Sequence, residues 1–100
     1  MTRIHVLLGT LLALAAMAAG AADLVRAKQN YDRFCAACHG FNGMSVMPDA
    51  PNLRLNAGLM QPDISIVTKL KAGSAKKPPF VGLMSDQELF DVVTYTRTIR

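Results

Sequence analysis

Two cysteines and a histidine stand together near the middle of the chain, in the run Cys35-Ala36-Ala37-Cys38-His39. On a helix, thiols three residues apart lie about one turn apart on the same face. Each thiol can therefore add to one of the two vinyl groups of a single porphyrin, and the next residue then lies under the ring with its imidazole aimed at the iron. The spacing predicts one covalent haem attached through Cys35 and Cys38, with His39 as the proximal iron ligand.

Three other kinds of site use cysteines at this spacing. A structural zinc site needs four nitrogen or sulfur ligands, but the other histidine, His5, lies in an N-terminal segment that we expect to be removed. A thioredoxin-like redox pair needs a βαβ context, which the sequence does not indicate. A disulfide between the two cysteines is compatible with an exported protein, but it gives the adjacent histidine no role. Haem attachment accounts for all three residues.

The first residues have the pattern of a secretory signal peptide. A cationic start at Arg3 is followed by an apolar run and then by small residues. The apolar run is close to the length of a membrane span, roughly 17–25 residues, so an uncleaved anchor is the alternative. Its alanine-rich end favours cleavage near Ala21 or Ala22. We therefore expect a signal peptide over 1–22 and one domain over 23–100, released into the periplasm with no membrane span.

Composition limits the partners of this domain and its sources of stability. The chain has a net charge of +4 at pH 7, with basic residues spread along the sequence, which is too mild and scattered to indicate nucleic-acid binding. The hydrophobic fraction of 51% includes the apolar leader and does not indicate a large core. So small a domain usually needs a disulfide, a metal or a bound group for stability, and a haem would supply one.

Helices joined by loops are predicted after the signal peptide, with no strand signal. The first spans Leu24 to Cys38, where apolar residues recur at three- and four-residue steps. The loop over 40–60 is rich in Gly, Pro and Asn, and a loop of this length in a small domain has to lie over something. The second helix begins at Pro62 and is capped by Gly73.

The third predicted helix has the clearest signature. Ser85 and Glu88 have the spacing of a capping box, which begins a helix. Apolar and small residues then recur along one face, and these we expect to be buried: Leu89, Val92, Val93, Thr96 and Ile99. Three helices and no strands predict an all-α fold.

Three features together resemble the class I cytochromes c. They are the CxxCH motif on an amphipathic helix, the stretch Pro51-Asn52-Leu53, and the closing run from Leu83 to Tyr95. The resemblance covers nearly the whole chain after the signal peptide. It implies a cytochrome c-like fold in which three main helices and long loops surround one covalent haem.

The resemblance also implies roles for particular residues. Tyr31 and Tyr95 are expected to pack where the first helix crosses the last, with Ala27 allowing a close approach. The carbonyl of Pro51 is expected to accept a hydrogen bond from the imidazole of His39. Such a bond fixes the tautomer and the ring angle of a ligating histidine and raises its basicity.

The sequence departs from the family at the distal iron ligand. The family usually supplies a methionine in a Met-Pro-x-Phe-like segment before the last helix. Here that segment reads Lys77-Pro78-Pro79-Phe80, and Lys77 occupies the methionine position. Lys77 could bind iron, but only as the neutral amine; otherwise it is a solvated surface lysine.

Other distal arrangements are open. Met84 is the nearest thioether, although its position before the Ser85 cap also suits a hydrophobic staple on Leu89. Met60 precedes the second helix and could fill the core. With no protein ligand, the iron would carry water or be open. The candidate distal ligands are therefore Met84 or Lys77.

The function implied is electron transfer. A protein of this family would be a soluble, monomeric periplasmic carrier of single electrons that docks on donor and acceptor proteins and is not itself an enzyme. No paired carboxylates, activated nucleophile or phosphate loop indicates catalysis. Four lysines could guide docking or simply be solvated: Lys69, Lys71, Lys76 and Lys77. The alternative is a haem protein with an open or lysine-ligated distal site, which binds small ligands or serves as the accessory subunit of a redox enzyme.

Overall fold

A computed structural model describes residues 21–100, so nearly all of the predicted signal peptide lies outside the described residues. Within that range the chain forms four α-helices and one short 3-10 helix, and no strand. In chain order these are α1 (Leu24–Phe34), α2 (Ala36–His39), the 3-10 helix (Leu53–Leu55), α3 (Asp63–Ala72) and α4 (Asp86–Thr96). None of the helices in the described range is long and apolar enough to span a bilayer. The predicted all-α fold is confirmed.

The first predicted helix, which was expected to run to Cys38, is broken at Cys35. The backbone of Cys35 leaves the helical region at φ −120° and ψ −35°. Its carbonyl then accepts hydrogen bonds from the amides of Cys38 and His39, at 3.2 and 3.0 Å, so a separate single turn, α2, follows. The apolar spacing continues across the break, which is why periodicity alone predicted one helix. The loop over 40–60 also differs slightly, since it contains the 3-10 helix.

Both predicted ends of α3 and the predicted start of α4 are confirmed to within a residue. The buried face predicted for the last helix extended to Ile99, but α4 ends at Thr96 and Ile99 is only half-buried. Pro62 is the N-cap of α3 and not its first residue. Gly73 ends α3 with φ +69°, and a Cβ at this position would lie 2.6 Å from the backbone nitrogen of Pro79. Ser85 caps α4: its hydroxyl accepts from the amide of Glu88, and its own amide donates to the Glu88 carboxylate, both at 3.1 Å. Gly73 thus both ends a helix and lets the following loop fold back against it.

The core lies where α4 packs against α1 and α3. At the α1–α4 crossing the rings of Tyr31 and Tyr95 are 5.4 Å apart between centroids, and Ala27 is only 1% exposed. The crossing implied by the resemblance is therefore present. The main cluster of buried residues comprises Ala27, Val67, Phe80, Met84, Leu89, Val92 and Val93. A second cluster, beneath α2, comprises Tyr31, Ala36, Leu53 and Leu59.

Arg97, the C-cap of α4, ties the end of that helix to the segment before α3. Its guanidinium donates to the carbonyl oxygens of Leu59 and Gln61, at 2.8 and 2.9 Å. It also forms an ion pair with Asp63 at 2.7 Å. Three acceptors that share one planar donor group fix both the direction and the distance of the segment relative to α4.

We expect Arg97→Ala to lower the free energy of unfolding by about 2 kcal/mol, because hydrogen bonds from a charged group are worth about 1.5–3 kcal/mol. The control is Arg100→Ala, since Arg100 donates only to its neighbour's carbonyl, that of Ile99. Urea denaturation of the haem-containing protein measures both variants. Equal stability of the two variants would contradict this role of Arg97.

Candidate functional site

The short helix α2 brings the three residues of the CxxCH motif onto one turn. Cys35 precedes the turn, and Cys38 and His39 end it. Both thiols are free; Cys35 is half-buried and Cys38 is exposed. No cluster of three or more His, Cys, Asp or Glu side chains in residues 21–100 could hold a metal ion unaided. Two thiols and an imidazole on one turn suit the attachment of a porphyrin, which carries its own metal.

The imidazole of His39 is held by the loop that follows it. Its Nδ1 lies 2.9 Å from the carbonyl oxygen of Pro51, the contact that the resemblance implied. A carbonyl oxygen can only accept, so Nδ1 must carry the proton. The lone pair of this imidazole is then on Nε2, which is the arrangement that a ligating histidine needs.

The backbone around Gly40 aims the chain from His39 into that loop. Gly40 has φ +78°, and a Cβ at this position would collide with the carbonyl of Met44. The buried hydroxyl of Tyr31 donates to the Gly40 carbonyl at 2.6 Å, and the amide of Val46 donates to the Cys38 carbonyl at 2.9 Å. These bonds fold the loop back over the end of α2.

Asn52 completes the loop from the other side. Its side-chain oxygen accepts from the amide of Ser45 at 2.6 Å, and the amide of Arg54 donates to the Gly43 carbonyl at 3.2 Å. These contacts hold Pro51, which lies next to Asn52, against the attachment turn. Sequence reasoning placed Asn52 in a motif but gave it no role. The available signal was the preference of Asn for hydrogen-bonding backbone groups in loops.

Cys35 does not have the properties of a redox-active cysteine. Burial raises the pKa of its thiol to about 11, although the positive charge of Lys77 acts in the opposite direction. Reactive cysteines have a lowered pKa and partial exposure. Cys35 therefore does not fit the reactive thiol of the thioredoxin-like alternative.

Large apolar side chains are exposed on the segments around α2. They lie on the loop after His39, at the start of α3 and on the loop before α4. Those with more than half of their surface exposed are Phe41, Val46, Leu55, Met60, Ile64, Val81 and Leu83. A bound porphyrin, which is large and apolar, would remove side chains of this kind from water where it contacts them.

The candidate distal ligands lie in different environments. Met84 is 6% exposed within the main core cluster, whereas Lys77 is exposed on the loop between α3 and α4. Met60 is 87% exposed just before α3. The structure thus brings Cys35, Cys38, His39 and Pro51 together, leaves Lys77 exposed, and packs Met84 among apolar side chains.

Comparisons with known proteins agree with this site. Residues 22–95 match the family described as "Cytochrome C oxidase, cbb3-type, subunit III". The chain is 30% identical over 77 residues to cytochrome c6 of Gracilaria tenuistipitata var. liui, a match that covers 75% of this chain and 71% of the relative. It is 30% identical over 82 residues to cytochrome c6 of Pyropia yezoensis, covering 80% and 74%. It is 32% identical over 77 residues to cytochrome c6 of Synechocystis sp., covering 75% and 64%.

The fold, the site and these matches define a haem protein of the electron-transfer class. The chain belongs to the family of small class I c-type cytochromes with a single haem. Its cofactor is accordingly haem c, covalently bound and containing iron. The family takes its description from an oxidase subunit, and the word oxidase describes the proteins for which the family was named.

We expect Tyr31→Phe to lower the free energy of unfolding by about 1 kcal/mol, because it removes a buried hydrogen bond and leaves the Gly40 carbonyl with only the Gly43 amide as a donor. Burial raises the pKa of Tyr31 from 10.0 to about 12. The stability that the phenol contributes is therefore complete below pH 10 and is lost as the pH rises towards 12, since the unfolded chain ionises first. The variant should lack this alkaline loss.

Chemical denaturation at a series of pH values measures both effects. Tyr95→Phe is the matched control, since it removes the chain's other tyrosine hydroxyl and keeps the ring. An unchanged alkaline profile in Tyr31→Phe would show that another group causes the loss.

Proposed function

We propose that the protein is a soluble periplasmic carrier of single electrons, with haem attached through Cys35 and Cys38 and with His39 as the proximal ligand. The observation that carries the proposal is the 2.9 Å hydrogen bond from His39 Nδ1 to the Pro51 carbonyl. It leaves Nε2 as the ligating atom on the turn that holds both thiols. The matched residues 22–95 include all of these positions.

The two cysteines would attach the haem, and Pro51 would orient the imidazole of His39. Each thiol adds across one vinyl group: a sulfur–carbon bond forms, the thiol hydrogen goes to the other vinyl carbon, and no atom is lost. The bound haem supplies an iron that gains and loses one electron. The Pro51 carbonyl orients the imidazole, and a ligand held in this way would move little on reduction, which lowers the reorganisation that electron transfer requires. We assign no catalytic residue.

A protein with this role needs redox partner proteins. The lysines considered for docking form only weak interactions within the chain. Lys76 pairs with Asp49 at 2.7 Å, and Lys71 pairs with Asp86 at 3.0 Å. Lys69 donates to Gln61 at 2.7 Å. Exposed pairs of this kind are worth about 0–1 kcal/mol, so a partner's carboxylates could replace them.

Export with removal of residues 1–22 is part of the proposal. The amide of Asp23 donates to the Asp91 carboxylate at 3.4 Å, and Asp91 is only 8% exposed. Cleavage after Ala22 would convert this amide into a terminal ammonium, which pairs with a carboxylate more strongly than an amide does. The mass of protein recovered from the periplasm tests the assignment: it should correspond to a chain that begins at Asp23, and the mass of the intact chain would indicate a retained anchor.

Optical redox titration of the haem-loaded protein tests the function. We expect one reversible one-electron transition, a low-spin ferrous spectrum and no spectral change with CO. His39→Ala should abolish the low-spin spectrum, and Arg100→Ala is a control at a surface site.

A high-spin spectrum that shifts with CO would contradict the carrier proposal. It would favour the second candidate, a ligand-binding haem protein or an accessory subunit. That candidate is supported by the absence of methionine at position 77.

A further inference from the structure

We propose that Lys77, and not Met84, provides the distal ligand of the haem iron. This inference rests on the proposed attachment through Cys35, Cys38 and His39. It names a second iron-binding side chain and therefore predicts a His/Lys cytochrome.

The backbone at Lys77 is held at both ends. A four-residue turn is closed by two reciprocal hydrogen bonds, from the Ser74 amide to the Lys77 carbonyl at 2.9 Å and from the Lys77 amide to the Ser74 carbonyl at 3.3 Å. Beyond two prolines, the amide of Phe80 donates to the carbonyl of Leu70 in α3 at 3.0 Å. Proline fixes φ, so the segment between these two anchors has little freedom.

This segment lies beside the attachment turn. Phe80, which is 5% exposed, packs edge to face on Phe34 with ring centroids 6.0 Å apart. Phe34 is the residue directly before Cys35. The segment that carries Lys77 is thus anchored against the residue that precedes the attachment turn. Lys76, the neighbour of Lys77, pairs with Asp49 at 2.7 Å, on the loop that carries Pro51.

Met84 is committed to the core. It is 6% exposed in the main cluster with Phe80 and Leu89, and its amide donates to the Phe80 carbonyl at 3.3 Å. The next residue, Ser85, forms the capping box of α4. If the Met84 side chain left this cluster to bind iron, it would leave a cavity among these side chains, which is destabilising. Met84 is therefore a packing residue of the core.

The remaining methionines near the site lie elsewhere. Met60 is flanked by Leu59 and Gln61, whose carbonyls are held by Arg97 at the C-terminal end of α4. The Lys77 loop leads instead into the N-terminal end of that helix, about 16 Å away along its axis. Met44 and Met47 lie on the loop that folds back onto the Cys38 carbonyl and carries Pro51, which is the His39 side.

The bond requires one proton to leave. To bind iron, Lys77 would have to be the neutral amine, with its extra proton passed to water and its nitrogen lone pair free; no electron would be transferred. An amine donor lacks the potential-raising effect of methionine opposite histidine, so the reduction potential should be lower than in a His/Met site.

Spectra of the haem-loaded protein and four variants test the proposal. The wild type should be low-spin in the ferric form without the far-red methionine–iron band, and its ferrous form should not bind CO. Lys77→Ala should become high-spin and bind CO. Lys77→Met should remain low-spin, gain the far-red band and shift to a higher midpoint potential. The controls Lys76→Ala and Met84→Leu should keep the wild-type spectrum.

Two outcomes would overturn the proposal: a Lys77→Ala spectrum and CO response identical to the wild type, or a far-red band in the wild type that Met84→Leu removes. If Lys77→Ala loses haem by misfolding, Lys77→Met decides, because it restores a ligand at the same position. Wild-type protein without covalent haem would instead refute the proposed function. If haem is attached but Lys77→Ala keeps the wild-type spectrum and CO response, only the distal assignment is refuted.

Discussion

The imidazole of His39 donates through Nδ1 to the carbonyl of Pro51, and this hydrogen bond joins the two parts of the molecule that make the site. One part is the single turn α2, which carries both thiols. The other is the loop over 40–60, which has little regular structure and is also held to α2 by the hydrogen bond from the Val46 amide to the Cys38 carbonyl. Because Nδ1 donates its hydrogen to the Pro51 carbonyl, only Nε2 has a lone pair that can bind iron. Tyr31 extends the constraint, since its hydroxyl ties the Gly40 carbonyl to the α1–α4 crossing.

Helix α4 connects this site with the rest of the fold. Its N-terminal cap at Ser85 follows directly on the buried Met84, so the loop that carries Lys77 enters the core at a defined point. Its C-cap, Arg97, holds the segment before α3 through two carbonyls and Asp63. Both loops that border the candidate site are thus attached to opposite ends of one helix. A small domain with few buried side chains gains a stable frame in this way, and the covalent haem would add the apolar mass that the chain itself lacks.

Much of this could be predicted from the sequence because the signals were local. The capping box at Ser85 and the glycine after α3 depend on residues within one turn of each other, and the CxxCH spacing carries its own chemistry. The break at Cys35 could not be predicted, because the apolar spacing runs through it unchanged. Nor could the environment of Met84: a methionine before a helix cap can pack or bind iron, and only the neighbours that the fold supplies distinguish the two. The attachment, proximal and distal assignments stay predictions that spectroscopy and mass measurement must test.

The central claim is covalent haem on the turn that presents His39, and peptide mapping of the intact protein tests it most directly. Trypsin cleaves after Arg33 and Arg54 and releases residues 34–54 as one fragment, which contains both cysteines. The fragment should carry the full mass of one haem with no loss of atoms, as expected for two thioether bonds. A fragment with free thiols, or one lighter by two hydrogens because of a disulfide, would contradict the account.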